Sequence, residues 1–223
     1  MTLSLESVIA KVNGIFTTYD SAGTASNLVG EEWKAGKVYE AWVLSLVLDR
    51  LEQIESFHVM LVGGTKVHLK SSPGPINTKY PHFRLSRAGG PQYDVWTDIE
   101  FATLSYAMSG KMGKPSQAHR HELDIVVVKD GVSGHPGHDD VVLGIECKNT
   151  GFEKVMARAA LGVRRELSLL HGDRPTVFNS WPISTVPADP PSVLLVYSTD
   201  PSVEGYNEAG CTFGVHFHYE PMP

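Results

Sequence analysis

The stretch Gly144-Ile145-Glu146-Cys147-Lys148-Asn149-Thr150 closes the apolar run 141–145 and then sets a carboxylate and an amine two residues apart. On a strand alternate residues share a face, so Glu146 and Lys148 point the same way. Charge at the end of a buried strand is costly unless partners await it. Upstream, residues 122–130 (ELDIVVVKD) are rich in β-branched residues and read as a strand. The glycine-rich segment 130–140 reads as a hairpin connection to the partner strand 141–148. Alternation puts Asp124 on one face with Val126 and Val128. In a hairpin the start of the first strand lies beside the end of the second. Asp124, Glu146 and Lys148 are therefore expected to converge at one end of the sheet, with the 130–140 connection at the other.

Two carboxylates that close repel unless a cation sits between them. Mg²⁺ (or Mn²⁺) suits the place, because a hard cation prefers oxygen ligands and binds carboxylates together with phosphate oxygens. A lysine beside it can orient or deprotonate a water, or stabilise charge on a phosphate.

Working outward, residues 152–170 read as a helix with an apolar stripe of Phe152, Val155, Met156, Ala159, Val163, Leu167 and Leu170, stopped by Gly172 and Pro175. Lys154, Arg158 and Arg165 lie on one side of it and suit phosphate contacts, or simply a solvated face. Arg120 and His121, with His119, precede the first hairpin strand and suit a nucleic-acid backbone, or an exposed loop. Residues 30–55 read as a buried helix on which Glu40 shares a face with Leu44, Val47 and Leu51. A carboxylate facing inward there calls for a cation. Residues 57–71 read as a hairpin turning at Gly63-Gly64, and 71–92, with four prolines, as mostly loop. Residues 93–104 and 191–198 read as strands, 179–191 as a proline-rich linker, and 211–220 as an edge strand.

Asp124 … Glu146-Cys147-Lys148, on two strands followed by a helix, resembles the PD-(D/E)xK nuclease superfamily. The resemblance implies a restriction-endonuclease-like α/β (α+β) fold with a central mixed β-sheet flanked by helices. It further implies Asp124 and Glu146 as metal ligands, a ligand from the Cys147 carbonyl, Lys148 acting on the attacking water, and Glu40 as the added helix glutamate. Leu123 stands where the superfamily pattern has proline.

The bulk numbers bound the alternatives. A chain of 223 residues suits one domain, here a core of about 30–175 with extensions 1–29 and 176–223. No apolar run reaches the about 18 residues of a membrane span, and no secretory signal is evident, so a cytoplasmic protein without membrane association is expected. Two cysteines, Cys147 and Cys211, make neither a disulfide framework nor a zinc site. The net charge of −6 hides a division. Residues 66–174 hold 15 basic and 12 acidic side chains and seven of the ten histidines, while 175–223 hold no basic and five acidic ones. A basic centre suits an anionic partner. His135 and His138, like His216 and His218, read as ordinary surface histidines rather than a transition-metal site.

These observations lead to an expected Mg²⁺-dependent endonuclease that hydrolyses phosphodiester bonds of DNA, in defence or DNA processing. A homodimer or a partner subunit is the expected assembly. The alternative is a non-cutting subunit of the same fold that binds nucleic acid or a partner.

Overall fold

The computed structural model describes residues 5–19, 34–64, 67, 69–70 and 72–223. The expected helix start at 30–33, with Trp33, lies outside them. Helices α1 (Leu5–Thr17) and α2 (Ala35–Gln53) precede strands β1 (His58–Val62), β2 (His82–Ser86) and β3 (Tyr93–Ala102). A short α3 (Leu104–Met108) leads to the hairpin β4 (Arg120–Lys129) and β5 (Val141–Lys148). Helix α4 (Lys154–Leu167) is followed by β6 (Leu169–Pro175), β7 (Thr185–Asp189), β8 (Val193–Ser198), α5 (Asn207–Cys211) and β9 (Val215–Tyr219).

The main sheet runs β1-β2-β3-β4-β5-β8-β9. It is antiparallel from β1 to β5 and parallel from β5 through β8 to β9. The expected mixed α/β architecture, a central sheet flanked by helices, is the one observed. Strands β5 and β8 are buried along most of their length, as strands covered on both faces must be. On one face, Ile125, Val127, Leu143, Ile145 and Leu195 pack with α1 and α2. On the other, Leu123, Val126, Val128, Leu194 and Val196 pack with α4. Helix α2 is buried almost all round because it is pressed between α1 and the sheet, with Val38, Leu44 and Leu48 inaccessible. Gly144 has a packing reason: a Cβ there would stand 2.9 Å from Leu123 Cδ1 on the neighbouring strand.

The partner of β1 is β2, with Val62 opposite His82. Gly63 takes φ 78, and residues 65, 66, 68 and 71 of the expected hairpin lie outside the described residues. The described residues of 71–92 are mostly loop, as expected, with β2 set among them: Phe83 and Leu85 alternate inward between half-buried polar neighbours. Helix α4 ends at Leu167, and 169–175 forms an exposed strand that pairs with 185–189, a strand inside the expected linker that buries Val186 and Ala188. The buried stripe of α4 is Ala157, Ala160, Arg164 and Leu167, while Val155 and Leu170 are exposed.

Candidate metal centre and active site

The site is built beside α2, from the middle of β3 and β4 and the C-terminal end of β5. Asp98, in the middle of β3, takes a left-handed backbone conformation at φ 52. Aspartate tolerates that region better than most non-glycine residues. Thr97 pairs with Ile125 and Ile99 with Leu123, so the flanking register brackets Asp98 and Asp124 on adjacent strands. The alternation slips by one residue here. Trp96 and Ile99, three apart, join the same core cluster, as do Leu123 and Val126. The slip releases both aspartates from regular alternation.

Glu40 comes from the second turn of α2, three residues after Lys37, on the helix face toward the sheet. Carboxylate oxygens of Glu40, Asp98 and Asp124 lie within 4.8 Å of one another. The Lys37 ammonium contacts both the Glu40 and the Asp98 carboxylates. Burial raises the Glu40 carboxyl to about 7, with the Asp124 charge adding and Lys37 opposing. Burial likewise raises Asp98, Lys37 again opposing. Asp98 is 3% exposed, and its buried Oδ2 has no hydrogen-bond partner among the described residues. Three hard oxygen donors crowded against their own repulsion, one orphaned, fit a divalent cation.

On the other side of Asp124 stands the Glu146–Lys148 pair. Lys148 Nζ is 2.7 Å from Glu146 Oε2 and 4.0 Å from Asp124 Oδ2. Asp124 Oδ2 also accepts a 2.6 Å hydrogen bond from the Cys147 backbone N–H. Burial, then the Asp124 charge, raises Glu146 to about 7. Burial alone would lower Lys148, but the Glu146 and Asp124 charges hold it above its ordinary value. A cavity of about 100 Å³ between the sheet and α4 is lined by Glu146, Lys148, Met156, Ala160, Val163 and Val196.

Asp124, Glu146 and Lys148 thus meet at one end of the hairpin, and Glu40 reaches Asp124. The three carboxylates that cluster are Glu40, Asp98 and Asp124, while Glu146 turns to Lys148. Cys147 touches Asp124 through its N–H. Of the basic candidates, Lys154, Arg158 and Arg165 are exposed on α4. Arg120 is held by Glu100 at 2.6 Å, and His121 lies half-buried on β4. His135 and His138 are not a free hairpin tip: their Nδ1 atoms lie 3.1 Å from the Glu100 and Leu167 carbonyls.

Asp98 was not among the sequence candidates. Its signal was an aspartate inside the otherwise apolar stretch Val95-Trp96-Thr97-Asp98-Ile99, which alternation alone assigns to the wrong partners.

No family model matches the chain, and no curated protein matches it. Among solved structures, that of P. aeruginosa ATCC27853 NucC in a cAAA-bound form is similar at a TM-score of 0.34 and 13% identity, covering 97% of this chain and 75% of that one.

Proposed function

We propose that the protein is a metal-dependent nuclease that hydrolyses phosphodiester bonds, with DNA as its substrate. The observation that carries this reading is the position of Asp124. Its carboxylate belongs to the metal-capable triad and is also 4.0 Å from the Lys148 ammonium. Glu40, Asp98 and Asp124 would hold Mg²⁺ or Mn²⁺. A divalent cation there supplies Lewis acidity toward a phosphoryl oxygen and lowers the pKa of bound water. Asp124, anchored by the Cys147 N–H, keeps the triad in register with β5. Lys148 holds a fixed positive charge where an attacking water and a phosphate would meet, and Glu146 fixes the direction of that ammonium.

The test compares wild type and Lys148→Ala on plasmid, linear duplex, single-stranded DNA and RNA, with Mg²⁺, Mn²⁺, Ca²⁺ or EDTA. Wild type is expected to cut with Mg²⁺ or Mn²⁺, and the folded variant to lose at least about a hundredfold in rate. Metal binding without cleavage of any substrate would replace the nuclease with a binding module of the same fold.

A further inference from the structure

Lys37 occupies a place that a catalytic cation would contest. It lies on the first turn of α2, and its ammonium contacts the carboxylates of both Glu40 and Asp98. These two residues are far apart in sequence, and the lysine side chain is only 22% exposed. A nearby cation leaves the triad alone: Lys70 Nζ donates to the Asp98 and Pro75 backbone carbonyls, at 3.2 and 3.1 Å. Lys148, on the far side of Asp124, is turned to Glu146. Of these three lysines, Lys37 is the one that engages the Glu40 and Asp98 carboxylates. Asp98 Oδ1 receives it, whereas Oδ2, buried, has no partner among the described residues.

A lysine ammonium and a divalent cation cannot both sit at full strength on the same two carboxylates, because the two positive charges repel at such separations. From this we infer that Lys37 is a built-in competitor that sets the metal affinity of the centre. Loading the centre breaks both Lys37 contacts, and the ammonium swings toward the solvent that its side chain already partly reaches. The competition keeps the carboxylates compensated and the site weakly loaded at low metal concentration. The inference rests on the metal-centre reading above.

Isothermal titration of Mn²⁺ into EDTA-stripped and dialysed protein tests it, using wild type, Lys37→Met, Lys37→Arg and Asp124→Asn. Lys37→Met removes the charge and keeps the buried stem, and is expected to bind Mn²⁺ about tenfold more tightly than wild type. Lys37→Arg restores the charge and is expected to bind no more tightly than wild type. In parallel, Mn²⁺ should raise the melting temperature of Lys37→Met more than that of wild type. If Lys37→Met does not fold, Lys37→Gln takes its place with the same expectation. Equal or weaker binding by a folded, charge-removed variant overturns the inference while leaving the metal centre standing. Wild type that binds no Mn²⁺, or binds it no better than Asp124→Asn, overturns the metal centre and the inference together.

Discussion

Asp98 shows how one backbone conformation builds a site. At φ 52 it leaves regular strand geometry, and its carboxylate comes within 4.8 Å of two others. Asn tolerates the same conformation, so Asp98→Asn separates charge from shape. We expect that variant to lose about tenfold or more in Mn²⁺ affinity, because one charged oxygen ligand is gone. Its melting temperature in EDTA should not fall, since a buried like-charge repulsion is relieved. Unchanged metal affinity would make Asp98 a purely structural aspartate.

At the scale of elements, the C-terminal end of α2 is tied to the segment before β7 by Glu55. This carboxylate is 1% exposed. It accepts backbone N–H bonds from Asn179, Ser180 and Trp181 at 2.6–2.7 Å and an ion pair from Arg87. Burial would raise its carboxyl, but those four donors hold it below its ordinary value. Replacing it by alanine leaves buried donors and a cation unpaired, and should cost about 3 kcal/mol in urea unfolding. The folded pKa is depressed, so the contribution of Glu55 is present above the unfolded carboxylate range and lost as pH falls through the folded value. Helix α4 carries a second prediction at this scale. If Lys154, Arg158 and Arg165 touch phosphates, converting each to alanine should flatten the salt dependence of DNA binding by about 0.9 for every phosphate no longer neutralised. An unaltered slope would make them a solvated helix face and nothing more.

Across the whole molecule, the acidic centre governs the pH response. Glu40 and Glu146 are both raised to about 7, and Asp98 and Glu122 are raised as well, with burial the largest cause in each. A carboxyl whose folded pKa exceeds its unfolded one binds more protons when folded, so stability falls as pH rises between the two values. In EDTA the melting temperature should therefore rise as pH is lowered from about 7 to about 5. Burial holds His216 and His218 below the ordinary imidazole value, so they oppose the rise once pH falls below about 6.5, and Glu55 and Asp94, both depressed, oppose it below the ordinary carboxylate range. Differential scanning calorimetry of wild type and Glu40→Gln across that window decides the matter, and a profile that the substitution leaves unchanged would mean that Glu40 does not contribute as described. Among the described residues no helix is long and apolar enough to cross a membrane.

The central hairpin, the two flanking helices, the strand at 193–198 and the edge strand at 215–219 were all legible in the sequence, because local periodicity and β-branched runs specify elements without reference to distant partners. So was the meeting of Asp124, Glu146 and Lys148, since a hairpin joins residues close in sequence. Non-local matters were not legible. That β1 pairs with a strand beginning only at His82, that 169–175 leaves the helix for an exposed strand, and that α4 rotates to bury alanines and Arg164 all depend on which surfaces remain to be covered. Asp98 belongs with these. A slip in side-chain alternation shared by two strands in continuous register places its carboxylate beside Glu40 and Asp124. Only the assembled sheet, with α2 laid across it, determines which face each aspartate serves.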